Sequence, residues 1–395
     1  MTVPASPSVG PAWRRLVGYY AALAAVGLAN SVLGPTLPGL AAQTGATLSQ
    51  ISLLFVARAA GYLSGSWVIG RLYDRLPGHP IMIAALLALG LGLAATPLSP
   101  WLGLLAALLL LIGLAEAGTD IGVNTLLVWT YGDAVGPYLN GLHFAFGLGA
   151  ALAPVVVAQV SGLPDGLRWA YWGLAGLVLV PALWVLRLPS PPLRAAASAS
   201  RGGQAARAGL VALFVVCFFF YVGAETAFGA WVYTYAERLR LADPAAAAYL
   251  SAAFWGALTV GRLVSIPLAT RVRPRLILAA ALGGCLVSVG LVALLPASPA
   301  ALWAGTLGTG FCMAPVFPTL LAFASRRLPL TARITSLFFI GSNVGGTVLP
   351  WLVGQLVEPF GPRLIMAVVF AGVVLDGLAF LALMRLAPNP ADSAR

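Results

Sequence analysis

The chain has 395 residues, of which 60% are hydrophobic and 8% charged, with a mean hydropathy of +0.95. So few polar groups cannot coat a water-facing globule, which excludes a soluble domain and leaves a polytopic helical membrane protein. The formal net charge of +11 comes from arginine alone among the basic residues and falls mostly in short connections between apolar runs. That placement excludes a nucleic-acid-binding surface, which would interleave basic and aromatic side chains.

Apolar runs broken by Arg-, Pro- or Gly-bearing turns predict twelve membrane-spanning helices. They fall at about 16–41, 49–70, 80–98, 101–131, 137–162, 167–188, 208–236, 245–269, 274–296, 299–325, 332–357 and 361–386. The polar stretch before Arg15 lacks a clear cleavage site and enters a segment too long for a signal core, so it is read as retained. Trp13, Trp101, Trp169 and Trp303 lie near span ends and read as interface anchors. The three cysteines, Cys217, Cys285 and Cys312, lie inside apolar runs, which suggests neither a disulfide framework nor a metal cluster.

Arginine placement sets the expected orientation. Arg14, Arg15, Arg71, Arg75, Arg187, Arg271, Arg273, Arg275, Arg326, Arg327, Arg333, Arg385, Arg395 and those of the central linker fall on one side. Arg168, Arg238, Arg240 and Arg363 fall on the other, while Arg58 and Arg262 lie within spans. The positive-inside rule then puts both termini in the cytoplasm of a multi-pass protein of the cytoplasmic (inner) membrane.

Pro189 to Ala208 is rich in Pro, Ser, Gly and Arg and reads as a cytoplasmic linker. It predicts an N-terminal six-helix bundle over 1–188, a linker over 189–208 and a C-terminal six-helix bundle over 209–395. The halves look like repeats. Gly149, Pro154 and Gln159 of the fifth span recur as Gly345, Pro350 and Gln355 of the eleventh, and the same offset pairs Gly27 with Gly223 and Gly65 with Gly261. Repeated halves around a central site are a common transporter plan.

The loop Gly70-Arg-Leu-Tyr-Asp74-Arg75-Leu-Pro-Gly78-His79 follows the second span. It resembles the G-x-L-x-D-R-x-G signature between helices 2 and 3 of the major facilitator superfamily. Pro77 displaces the last glycine by one, and the trailing basic cluster is reduced to His79. The resemblance implies an all-α major facilitator fold, with helices 1, 4, 7 and 10 lining the cavity and Asp74 and Arg75 acting as a cytoplasmic gating latch. Within that superfamily, Leu139–Ala151, Tyr221–Ala236 and Gly310–Leu321 resemble the branch of fucose permease and the sodium-dependent glucose transporters. Fucose permease resemblance would imply acidic groups in helices 1 and 4, whereas helix 1 here offers only Asn30, which leaves sodium open as the coupling ion. Drug/proton antiporters carry a Gly-Pro pair in helix 5; here Gly149 and Pro154 are five apart.

The stretch Leu108–Tyr131 carries Glu116, Asp120 and Asn124, four apart and therefore stacked on one helix face. A charge at the bilayer centre costs roughly 2.5–3.5 kcal/mol even on insertion scales, so two acids in one span need water, a cation or a basic partner. They are the expected ion-coupling residues, with Asp120 first, and Asp120 with Asn124 would be the oxygen ligands if the ion is Na+. A structural ion pair with Arg58 is the competing reading, and Glu116 is its expected partner; one arginine cannot satisfy both acids. Glu225 in the seventh span is the expected substrate contact, accepting solute hydroxyls while Trp231 or Tyr221 supplies an apolar face. His143, Asn343 and Asn30 are further hydrogen-bonding candidates, weighed evenly against a role as interhelical polar glue. Phe311 completes the expected substrate-binding set. Arg262 is read as structural, in a possible ion pair, and Asp376 stays unassigned.

There is no Walker loop, no HExxH and no nucleophile elbow, so an enzyme is not expected and energy must come from gradients. The expected protein is a monomeric, alternating-access secondary transporter without cofactor, surrounded by membrane lipid and without a nucleic-acid partner. It would couple Na+ or H+ to uptake of a small polar solute, a hexose-like sugar first. The alternatives are a proton-coupled exporter of amphipathic or lipid-like compounds, and a non-transporting receptor on the same fold.

Overall fold

The computed structural model describes residues 12–192, 208–328 and 332–386; the middle of the expected linker, 193–207, lies outside them. Where lipid offers no hydrogen bonds, each backbone amide must find its partner within its own helix, so every crossing is helical. The twelve spans are α1 (Ala12–Thr44), α2 (Leu48–Tyr73), α3 (Gly78–Leu98), α4 (Leu102–Tyr131), α5 (Pro137–Val160) and α6 (Gly166–Leu186), then α7 (Ala208–Arg238), α8 (Pro244–Arg271), α9 (Pro274–Leu294), α10 (Pro299–Ser325), α11 (Ile334–Phe360) and α12 (Leu364–Leu386). The predicted spans match in number and order. The largest difference is α1, which begins and ends several residues beyond the apolar run because its ends are polar but still helical.

Helix ends follow local chemistry. Asp243 caps α8 by accepting the Ala246 N–H at 2.8 Å, with Pro244 at the first helical position, where a missing N–H costs nothing. Thr47 and Gln50 form a reciprocal capping box at the start of α2. Gly45 and Gly361 end α1 and α11 with φ of 65° and 83°, values an L side chain would resist. Within α10 the regular helix breaks after Met313, at Ala314–Pro315, and resumes at Val316.

Packing divides the chain into two compact units, Met1–Val32 with Ala57–Ala197 and Leu33–Val56 with Ser198–Arg395. The segment Leu33–Val56 precedes the expected linker yet packs in the second unit, and its hydrogen bonds explain why. Gln355 of α11 accepts the Ser49 hydroxyl at 2.8 Å and returns its amide to the Ser49 carbonyl at 2.9 Å. The carboxylate of Glu358 takes the Leu48 N–H at 2.8 Å, one of the donors that a helix start leaves open.

The repeat is visible as repeated close crossings. In the first unit Gly27 of α1 faces the Phe146 carbonyl of α5, and Gly149 of α5 faces the Ala24 carbonyl. In the second, Gly223 of α7 faces the Gly345 carbonyl of α11, and Gly345 faces that of Phe219. The crossing of α2 on α4, with Gly65 against Leu114 and Gly113 against Arg58, recurs as α8 on α10, with Gly261 against Phe311 and Gly310 against Phe254. Small residues let helix backbones approach where lipid supplies no hydrophobic drive for association.

A Cβ at position 113 would collide with the Arg58 carbonyl, whereas one at Gly70 meets nothing within 4 Å. Gly113→Ala is therefore expected to lose about 1–3 kcal/mol of stability by overpacking, read as a lowered midpoint of thermal unfolding in detergent. Gly70→Ala is the neutral control, and equal melting of the two variants would contradict the close α2–α4 contact.

Candidate functional site

The close α2–α4 crossing positions a ladder of polar side chains in the first unit. Arg58 donates to Glu116 from Nε and from Nη2, each at 2.8 Å, with the Glu116 side chain 2% exposed and that of Arg58 16%. A bidentate guanidinium–carboxylate pair is the strongest geometry available to two such groups. One helical turn further along both helices, the Tyr62 hydroxyl donates to Asp120 Oδ2 at 2.6 Å. Both rungs join residues with the same sequence separation of 58, because α2 and α4 run in the same direction here.

The ion pair has an electrostatic consequence for its neighbour. Two carboxylates one turn apart, at about 6 Å, would repel by about 3 kcal/mol at an effective dielectric of 20. An arginine locked on Glu116 offsets that repulsion, since the pair as a whole carries no net charge. Among the described residues no arginine pairs directly with Asp120. Its second oxygen accepts the Asn124 amide at 2.9 Å, and the same nitrogen donates to the Asp120 carbonyl at 2.9 Å. Two acceptors on one side fix which end of the amide faces them, so Asn124 presents N–H to Asp120. Its Nδ2 is engaged by Asp120, and its Oδ1 is the atom the sequence reading assigns to a cation. His143 on α5 is exposed and within electrostatic reach of Asp120. Asn30 on α1 is half-buried, and its backbone carbonyl meets Arg58 Nη1 at 3.4 Å.

The second unit holds Glu225, which is 8% exposed on α7. The Tyr221 hydroxyl is bonded to its carboxyl group and also lies 3.1 Å from the Met313 carbonyl, beside the break in α10. Arg262 is half-buried and within electrostatic reach of Glu225 without forming a direct ion pair. Trp231 is fully buried and donates its indole N–H to the Pro350 carbonyl at 2.9 Å, so its face is engaged in packing and its polar edge is already satisfied. Asn343 is half-buried and bonds the Phe339 carbonyl of its own helix at 2.9 Å. Phe311 is 44% exposed.

Other residues fall apart from these clusters. Asp74 and Arg75 are exposed in the turn after α2. His79 departs from its reading as the remnant of a basic loop: it is buried, with Nε2 2.8 Å from the Tyr19 hydroxyl and Nδ1 3.0 Å from the Leu188 carbonyl. Asp376 is buried beside Cys217 on the α7–α12 contact, and Cys217 lies one helical turn before Tyr221 on α7. Sequence reasoning missed Tyr62. The signal was present, since Tyr62 follows Arg58 by four just as Asp120 follows Glu116, and matching spacings on two packed helices make two rungs.

Twelve apolar helices in two repeated units, with carboxyl groups enclosed among them, define a multi-pass membrane transporter. The chain belongs to the Major Facilitator Superfamily, whose family model matches residues 19–350. It is a transporter of that superfamily and not an enzyme. It is 30% identical to the mouse sodium-dependent glucose transporter 1A over 375 residues, which covers 85% of this chain and 88% of that one. Identity to the human sodium-dependent glucose transporter 1 is 28% over 408 residues, covering 94% and 79% respectively. Among solved structures, the nucleoside transporter NupG superposes with a TM-score of 0.76 at 15% identity, over 93% of this chain and 99% of the other. The xylose transporter XylE from E. coli does so at 0.76 and 10%, over 96% and 98%. At those identities the structural likeness shows the fold alone.

Breaking a buried pair strands a charge, whereas replacing both partners by apolar groups does not. Arg58→Met is expected to cost about 3–5 kcal/mol, and Arg58→Met with Glu116→Leu to recover most of it, measured by thermal unfolding of the purified protein. Equal loss in the single and double variants would contradict the pairing.

Proposed function

We propose that the protein is an alternating-access secondary transporter coupling entry of a cation, Na+ or H+, to uptake of a small polar solute, with a hexose-like sugar first. The observation that carries this reading is Asp120: a half-buried carboxylate on a membrane helix, held by neutral donors while the nearby guanidinium is committed to Glu116. An acid kept at this depth without a fixed cation suits a mobile one. The names of the relatives, which are sodium-dependent glucose transporters, support both the sugar and the cation.

In this reading Asp120 binds the coupling ion, and Glu116 with Arg58 forms the fixed charge background. Glu225 of the second unit offers a carboxyl group to solute hydroxyls, with Tyr221 and Trp231 bracing its helix. Asn343 and Phe311 in the same unit, and Asn30 and His143 in the first, supply further polar and apolar contacts. The exposed Asp74 and Arg75 serve the transport cycle as a gating pair. The arginine bias supports a cytoplasmic-membrane location with both termini inside.

Counterflow in proteoliposomes across a panel of radiolabelled hexoses, pentoses and polyols tests the proposal. A hexose is expected to exchange, and Asp120→Asn to keep exchange while losing accumulation driven by an ion gradient. Folded protein that exchanges no sugar in the panel would remove the sugar reading. An Asp120→Asn variant that still accumulates solute against a gradient would remove Asp120 as the coupling residue.

A further inference from the structure

The turn that joins α8 to α9 differs from its counterpart in the first unit by one charge. The offset that pairs Gly65 with Gly261 also pairs Asp74 with Thr270 and Arg75 with Arg271. The first turn therefore holds an acid among its arginines, whereas the second keeps the arginine and drops the acid. Arg273 and Arg275 follow at once, and no Asp or Glu occurs between Asp243 and Glu358.

The helices gather further charge at the same place. The span α8 ends at Arg271 and α9 begins at Pro274, and α10 comes back to that edge to end at Ser325. It delivers Arg326 and Arg327 within electrostatic reach of Arg275. Burial first, and then the like charges of Arg275 and Arg326, press the pKa of the Arg327 guanidinium below its ordinary value. Like charges held together oppose folding, and an anion placed among them reverses the sign of that effect. The Arg327 Cζ lies 3.6 Å from the centre of the Phe323 ring, which is itself buried. Stacking occupies the flat face of a guanidinium, whereas a phosphate is read by the N–H donors in its plane. Arg271 and Arg326 are exposed, and so is Leu276 on the first turn of α9 beside Arg275.

We propose that Arg275, Arg326 and Arg327, with Arg271 at the rim, bind the headgroup of an anionic phospholipid at this edge of the second unit. The lipid phosphate brings the negative charge that the second turn lacks and the first has in Asp74. A soluble anion would meet the charge alone; a phospholipid also covers the exposed Leu276 with an acyl chain, and basic pockets between span ends suit such headgroups. The inference does not depend on which ion or solute is carried.

The test uses the purified full-length protein in nanodiscs of phosphatidylcholine with a rising mole fraction of phosphatidylglycerol. The midpoint of thermal unfolding is expected to rise with that fraction and to saturate. An arginine near the surface contributes about 1 kcal/mol toward anionic lipid, or about fivefold in affinity. Arg326→Gln is therefore expected to raise the half-saturating fraction about fivefold. The triple variant Arg275→Gln/Arg326→Gln/Arg327→Gln is expected to show no saturable rise. Arg238→Gln/Arg240→Gln/Arg363→Gln removes as much charge from the other end of the same unit and is expected to leave the half-saturating fraction unchanged.

Arg326 is exposed, so its single variant keeps the proposal testable if the triple variant does not fold. Absence of any rise with phosphatidylglycerol overturns the proposal, as does an unchanged half-saturating fraction in the folded variants. Equal loss in the control triple assigns the effect to net charge and also overturns it. Inorganic phosphate is added to discs of phosphatidylcholine alone as the last arm. Stabilisation there equal to that by phosphatidylglycerol means a soluble-anion site and removes the lipid.

Discussion

The bidentate contact between Arg58 and Glu116 is the constraint on which the first unit's chemistry depends. It requires α2 and α4 to lie close, which Gly113 and Gly65 permit by bringing helix backbones into contact. It also consumes the guanidinium, so the second acid on the same face of α4 is left to neutral donors. A helix with two unpaired acids would be too costly to insert, and one with both neutralised would have nothing to offer an ion. One pair and one remaining carboxylate is the arrangement that meets both conditions.

The internal repeat makes this asymmetry plain. The crossing that sets Gly113 against the Arg58 carbonyl recurs in the second unit as Gly310 against the Phe254 carbonyl. Where the first unit has an arginine at that crossing, the second has a buried phenylalanine, and Met313 stands one turn along α10 where Glu116 stands on α4. Duplication has kept the backbone geometry and divided the chemistry. The second unit carries its enclosed carboxyl on α7, where Tyr221 ties Glu225 to the Met313 carbonyl at the break in α10. A helix interrupted beside a polar group is a natural hinge, since its backbone is already partly released from the regular ladder.

Much of the fold was legible in the sequence because lipid leaves few choices. Twenty-residue apolar runs must be helices, and Pro, Gly and Arg mark where they stop. The paired glycines Gly27 and Gly223, Gly65 and Gly261, and Gly149 and Gly345 could be matched from numbering alone, and each occupies an equivalent helix crossing. Sequence offered the pair of Glu116 with Arg58 only as the competing reading, with Glu116 the expected partner should Arg58 pair, and the structure makes that pair. The only trace of Tyr62 was its four-residue spacing from Arg58, because a tyrosine in an apolar span looks like packing until the facing helix is known. The orientation of the Asn124 amide and the burial of His79 and Trp231 were likewise hidden, since periodicity in a membrane helix does not separate faces that meet lipid from faces that meet protein. The placement of Leu33–Val56 depended on hydrogen bonds to Gln355 and Glu358, which no local pattern announces.

The central claim is that Asp120 carries a negative charge that a mobile cation enters to meet. The most direct measurement is the charge displaced when Na+ is rapidly applied to proteoliposomes on a solid-supported membrane, with no solute present. The account predicts a transient inward current that disappears in Asp120→Asn and persists when Arg58 and Glu116 are replaced together by Met and Leu. A current that survives in Asp120→Asn would contradict it.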